Sequence, residues 1–164
     1  MTSITRPLPL TDADATRRLA ARISPLLRAG DVILLAGPIG AGKTHFARSL
    51  IQTRLAAADL MEDVPSPTFT LIQTYEAAGV ALWHADLYRL TDPDEATELG
   101  LEEAFTQAIC LIEWPDRLGS LRPPQALELT LTPDAASDLR QARFIGDAAH
   151  WAALFACMEG GQDG

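Results

Sequence analysis

Lysine is nearly missing from this chain. Among its thirteen basic residues Lys43 is the single lysine, the others are arginines, and asparagine does not occur at all. A composition that uses arginine everywhere else keeps one compact ammonium where a planar guanidinium would not fit. Positive charge is scarce overall: 22 acidic residues face 13 basic ones, for a net charge of −9 and a pI of about 4.7. Such a surface repels phosphate backbones, which argues against strong, direct nucleic-acid binding. If RNA is involved, another subunit should hold it. Only two cysteines are present, Cys110 and Cys157, and their separation matches no metal or redox motif. Cys110 lies in an apolar run and is expected to be a small buried hydrophobe. No apolar run approaches the roughly 20 residues that span a bilayer, and the first residues lack a signal-peptide pattern. A cytoplasmic protein with no membrane attachment is expected. No internal repeat or linker interrupts the 164 residues, so one domain over 1–158 is expected, with 159–164 a disordered tail that has nothing to bury.

The informative stretch is 32–44. Val32-Ile33-Leu34-Leu35-Ala36 is a short continuous apolar run, as in a strand buried on both faces. Gly37-Pro38-Ile39-Gly40-Ala41-Gly42-Lys43-Thr44 follows and satisfies G-x-x-x-x-G-K-[ST]. Beyond Thr44, Phe46, Ala47, Leu50 and Ile51 recur at helical spacing, and the helix should reach about Ala58. Strand, glycine-rich turn and helix N-terminus together aim backbone N–H groups at one point, which suits a polyphosphate. Lys43 would reach the outer phosphates and the Thr44 hydroxyl would ligate Mg2+. A dinucleotide-binding G-x-G-x-x-G is excluded, because His45 stands where a third glycine belongs.

Around this centre the spacing predicts a first strand within 4–10 and a capping box at Thr11-Asp12-Ala13-Asp14. A helix carrying Leu19, Ile23, Leu26 and Leu27 should follow, closed by Gly30. Pro65 and Pro67 make 59–69 a loop bearing Ser66, Thr68 and Thr70, either a phosphate-sensing switch or a plain connector. Thr70–Glu76 and Val80–Asp86 read as a hairpin. Asp86, at the end of an apolar strand, is a candidate for the metal or its water shell, whereas His84 on the same face reads better as a structural residue. Arg89 could pair with an acid or neutralise phosphate. Asp92-Pro93-Asp94-Glu95 and Leu99–Phe105 suggest short helices. Ile109-Cys110-Leu111-Ile112-Glu113 is a Walker-B pattern, four apolar residues and then a carboxylate able to hold a metal-bound water or orient an attacking one. Leu127, Leu129 and Leu131 alternate with polar residues in a half-exposed strand, paired with 140–146, and Trp151, Leu154 and Phe155 indicate a closing helix.

Four runs in this order, with Gly100-Leu101-Glu102-Glu103 between the last two, resemble the bacterial TsaE (YjeE-type) P-loop ATPases. They are the Gly37–Thr44 loop, Ser66-Pro67-Thr68-Phe69-Thr70-Leu71, His84-Ala85-Asp86-Leu87-Tyr88-Arg89-Leu90 and Leu111-Ile112-Glu113-Trp114-Pro115. The similarity spans roughly 30–120. It implies a slow, Mg2+-dependent ATPase that supports formation of threonylcarbamoyladenosine beside the tRNA anticodon. Such a protein acts on a complex of TsaD and TsaB subunits without transferring the group itself. The matching positions imply Lys43 and Thr44 on phosphates and Mg2+, and Thr68 in a switch loop. Asp86 and Glu113 would be the metal-side and hydrolytic carboxylates, in an order left open, and Trp114 would lie near the nucleotide. Pro38-Ile39 and His45 depart from the commoner Asp-Leu and Thr, which bears on affinity more than on activity. A P-loop small-molecule kinase and a non-catalytic ATP-binding adaptor are the alternatives. The expected fold is a three-layer α/β P-loop NTPase domain with a mostly parallel central sheet and an antiparallel C-terminal portion.

Overall fold

The computed structural model describes residues 1–5 and 7–160. At its centre lies β3 (Val32–Ala36), whose first four residues are buried. It pairs in parallel with β6 (Ile109–Glu113) on one side and β7 (Leu127–Pro133) on the other. β5 (Val80–Asp86) continues the parallel part beside β6, and β4 (Ile72–Ala77) returns antiparallel to it. On the other flank β8 (Arg140–Asp147) runs antiparallel to β7 and carries both β1 (Thr2–Ile4) and β2 (Leu8–Leu10). Among the described residues the sheet has eight strands and is therefore mixed, parallel across its buried centre and antiparallel towards both margins. That division follows from burial: parallel strands need both faces covered, and β3 and β6, parallel to both neighbours, are the most uniformly apolar and buried.

The cover is a helical layer on each face. α1 (Ala13–Ile23), α2 (Lys43–Ala57) and α5 (Ala152–Gly160) pack Leu19, Ile23, Phe46, Leu50, Leu154 and Met158 against Ile33, Leu35, Leu129 and Phe144. On the opposite face α3 (Pro93–Glu98), α4 (Leu101–Gln107) and a 3₁₀ segment (Pro115–Leu121) bury Ala96, Leu101, Phe105 and Leu118 against Val32, Leu34, Cys110 and Ile112. Alternate residues of β3 thus feed the two cores, as the two-residue period of a strand requires.

Several local expectations shift. In place of one strand within 4–10 there are two short ones, β1 ending at Ile4 and β2 over Leu8–Leu10, both added to β8. The cap of α1 is Asp12, whose carboxylate accepts the Ala15 N–H at 2.8 Å; Asp14, expected to close the box, pairs with Arg17 and Arg18 instead. Gly30 does not close α1. Pro25 ends the regular helix, Ser24–Leu26 forms a 3₁₀ turn, and Gly30, at φ 96°, donates to the Ala108 carbonyl at 2.9 Å. The hairpin is present, turning through Ala78 and Gly79 at positive φ, and its first strand begins at Ile72. Of the expected tail, Glu159 and Gly160 complete α5, while 161–164 lie outside the described residues.

Candidate functional site

Strand register brings the chemistry together. Leu35 of β3 pairs with Glu113 of β6, and Glu113 pairs with Asp86 of β5. The loop after β3 and both carboxylates therefore emerge side by side at the C-terminal ends of parallel strands, where α/β sheets place ligands. A solvent-open cleft of about 430 Å³ lies there, bordered by Ile39 to His45, Thr68, Asp86, Tyr88, Glu113 and Trp114.

Two glycines shape the loop. A Cβ on Gly37, at φ 144°, would stand 2.4 Å from the Leu131 carbonyl oxygen, so the loop leaves the sheet in backbone contact with β7. Gly42, at φ 102°, begins α2 and provides no side-chain cap. The helix N-terminus is thus left open to the cleft, with N–H groups and a partial positive charge directed at it.

Lys43 is almost fully buried, yet among the described residues it forms no ion pair. Its ammonium donates to the Gly37 and Pro38 carbonyls and lies 3.5 Å from the centre of the Trp114 ring. Burial pulls its pKa below the usual lysine value, opposed by the negative charges of Glu113, Asp86 and Asp116. A desolvated cation held only by carbonyls and an aromatic face is a group made to receive an anion. Trp114 reaches this position from a backbone at φ 59°, ψ 56°, and stacks obliquely on Tyr88 with centroids 4.9 Å apart.

The carboxylates are held differently. Glu113, 2% exposed, accepts the Thr44 hydroxyl at 2.8 and 2.9 Å on its two oxygens and lies 2.7 Å from His84 Nε2. Asp86 accepts the Tyr88 N–H at 3.0 Å on one oxygen, while the other is 3.5 Å from the Thr68 hydroxyl. Thr68 Oγ1 is itself 2.7 Å from Ser66 Oγ. All three expected catalytic positions, Thr68, Asp86 and Glu113, thus face one cleft with Thr44. Gly37 and Pro38 do not border it; they hold the lysine. His45 borders it with Nε2 bonded to the Ala13 carbonyl at 2.8 Å, tying α2 to α1. His84 is fully buried as the support of Glu113, in keeping with its structural reading, and Nδ1 finds no partner among the described residues. Arg89 is exposed and forms no ion pair among the described residues.

Sequence reasoning missed Arg140. It starts β8, remote from every motif, and its guanidinium bonds the Gly40 and Ala41 carbonyls. No local signal marks it, because the contact exists only once β8 lies beside β7.

The site suits Mg2+ with a nucleotide. Among the described residues no group of three or more His, Cys, Asp or Glu side chains could hold a metal by itself. A hydroxyl and carboxylates beside a phosphate cradle are hard oxygen donors of the kind Mg2+ shares with phosphates. Among the described residues no helix is long and apolar enough to cross a membrane.

Fold and loop define a P-loop NTPase, a class whose architecture implies nucleotide binding. The family model described as "Threonylcarbamoyl adenosine biosynthesis protein TsaE" matches residues 10–142, and the chain belongs to the TsaE family. A TsaE of Rickettsia conorii is 39% identical over 122 residues, covering 74% of this chain and 68% of that protein. A TsaE of Bacillus subtilis is 33% identical over 132 residues, covering 80% and 79%. The crystal structure of Bacillus subtilis YdiB superposes with a TM-score of 0.76 at 25% identity, over 95% of this chain and 94% of that one. The family is the one that the motif order had suggested.

Proposed function

We propose that this chain binds Mg2+ and ATP and hydrolyses the ATP slowly, in support of threonylcarbamoyladenosine formation on tRNA, with TsaD- and TsaB-type subunits as partners. The observation that carries the reading is Lys43, a buried ammonium that forms no ion pair among the described residues, beside the open N-terminus of α2. Relatives at 39% and 33% identity bear the name "tRNA threonylcarbamoyladenosine biosynthesis protein TsaE", which supports the pathway.

In this reading the backbone N–H groups of Gly40, Gly42, Lys43 and Thr44 and the Lys43 ammonium bind the phosphates; the Ala41 N–H is held by the Pro38 carbonyl. Thr44 and Glu113, already joined by a hydrogen bond, hold the metal side. Mg2+, when bound, neutralises charge on the phosphate oxygens. Asp86, beside Glu113 on the next strand, and Thr68 orient the attacking water; Tyr88 N–H fixes the unused oxygen of Asp86. With a net charge of −9, the chain leaves tRNA to its partners.

The test combines the chain with matching TsaB and TsaD subunits, with and without tRNA, and measures phosphate release and complex formation by gel filtration. Slow release alone and faster release in the complex are expected. Fast turnover in isolation, unaffected by either subunit, would defeat the partner-dependent reading. ATP consumption only with a small-molecule acceptor would favour a kinase.

A further inference from the structure

A loop that binds phosphate through its N–H groups turns its carbonyls away from the ligand, and those carbonyls need donors of their own. Here the Pro38 carbonyl receives the Ala41 N–H at 3.1 Å, and the Gly37 carbonyl receives the Lys43 ammonium. The Gly40 and Ala41 carbonyls are taken by one side chain from the far flank of the sheet. Arg140 Nη2 donates to Gly40 at 3.1 Å and Nε donates to Ala41 at 3.0 Å, while Nη1 donates to the Asp138 carbonyl at 2.7 Å. One edge of the guanidinium therefore spans two successive loop peptides, and its remaining nitrogen is fixed on its own hairpin.

The consequence is directional. Across a trans peptide the C=O and N–H point in opposite senses. Holding the Ala41 carbonyl on the Arg140 side therefore aims the Gly42 N–H to the opposite side. That N–H has no protein acceptor among the described residues, and Gly42 borders the cleft. Loop and guanidinium are in contact, since a Cβ on Gly42 would lie 3.6 Å from Arg140 Nε. Arg140 itself does not border the cleft.

We propose that Arg140 is a positioning residue of the nucleotide site, locking residues 40–42 so that the Gly42 N–H is presented to phosphate before the ligand arrives. This rests on the nucleotide-binding reading above. A planar fork fixes orientation as a point charge cannot, because its two donors stand side by side at a set spacing and direction.

The experiment compares the unaltered full chain with Arg140→Ala, Arg140→Lys and Arg143→Ala, the last removing the same charge from an exposed position on β8. Affinity for a non-hydrolysable ATP analogue with Mg2+ is measured by calorimetry, and the Gly40 and Gly42 amides are followed by ¹⁵N NMR without nucleotide. Arg140→Ala should weaken binding roughly tenfold, as expected for two lost bonds to a charged donor partly replaced by water, and should broaden both amide signals. Arg140→Lys should recover less than half of the logarithmic loss, and Arg143→Ala should change neither readout. Full recovery by Arg140→Lys would overturn the proposal, because charge alone would then suffice. So would unchanged affinity and unchanged amides in Arg140→Ala. If that variant folds poorly, Arg140→Gln, which keeps one donor group, supplies the same comparison. An unaltered chain that binds no analogue would defeat the nucleotide reading and this proposal together; binding that ignores Arg140 would defeat only the proposal.

Discussion

The roles proposed for the two carboxylates separate in their response to Mg2+. Glu113 is nearly solvent-free, with the Thr44 hydroxyl against both of its oxygens and His84 Nε2 against one of them. Glu113→Gln keeps the shape and an acceptor for Thr44 but removes the charge. A hydrogen bond to a charged group contributes about 1.5–3 kcal/mol and a neutral one about 0.5–1.5 kcal/mol. The difference at the metal side is then about 1–1.5 kcal/mol, and about 1.4 kcal/mol corresponds to a tenfold change in an equilibrium. The Mg2+ concentration for half-maximal ATP hydrolysis should therefore rise roughly tenfold in Glu113→Gln, with excess Mg2+ restoring part of the rate. Asp86→Asn leaves the Thr44–Glu113 pair intact. Its Mg2+ midpoint should stay in place while the rate falls on the order of 10²-fold or more, the scale of a lost water-orienting group. Phosphate release is measured in a Mg2+ titration with TsaB and TsaD subunits present. A displaced midpoint in Asp86→Asn with an unmoved one in Glu113→Gln would refute the assignment and exchange the two roles.

Two further outcomes follow from contacts already described. Gly37→Ala should destabilise the fold by about 3 kcal/mol or more, since backbone strain and forced overpacking each cost about 1–3 kcal/mol; the denaturant midpoint reports it, and an unchanged midpoint would contradict the 2.4 Å approach to Leu131. Burial pushes the Cys110 thiol up to about 12, so at pH 8 a thiol reagent should modify only the partly exposed Cys157 in the folded chain and both cysteines in denaturant, counted by mass spectrometry.

What was legible in the sequence was what a local pattern encodes. The apolar run Val32–Ala36 with its glycine-rich turn carried the central strand, the loop and the start of α2 in one reading. Ile109–Glu113 did the same for β6, and the hairpin ending at Asp86 was bounded by Ala78-Gly79. Helix ends were less legible because two signals competed: Pro25 breaks α1 five residues before Gly30, and Asp12 outcompetes Thr11 as the cap. Gly30 keeps its positive φ for a different reason, to hand its N–H to Ala108 across the fold. Least legible were contacts made by tertiary placement. Arg140 is one of many arginines, and nothing near it in the chain marks a residue that braces a loop begun at Gly37. The resting place of Lys43, on two carbonyls and an indole face, likewise depends on Trp114 adopting a left-handed backbone that no motif announces.

The same distinction bears on partner dependence. Between α2 and β4 the chain has no regular structure, and its two ends are treated differently. Near the cleft it is tied down: Leu71, at φ 69°, donates to the Pro67 carbonyl and accepts the Asp86 N–H, which places Thr68 beside the Asp86 carboxylate. Met61, further out, is 98% exposed, and Phe69, inside the tied turn beside Thr68, is 85% exposed, so large apolar side chains face water within a segment stiffened by two prolines. Arg48 of α2 reaches the Val64 carbonyl at 2.8 Å, a link between the helix that begins at the phosphate cradle and this loop. The 3.5 Å between Thr68 and Asp86 is at the limit of a hydrogen bond, so drawing them together means ordering the loop, at an entropic cost that a partner surface covering Phe69 would offset. Coupling of that kind is mutual: a partner that tightens the loop around nucleotide must itself bind more tightly when nucleotide is present, by the same factor.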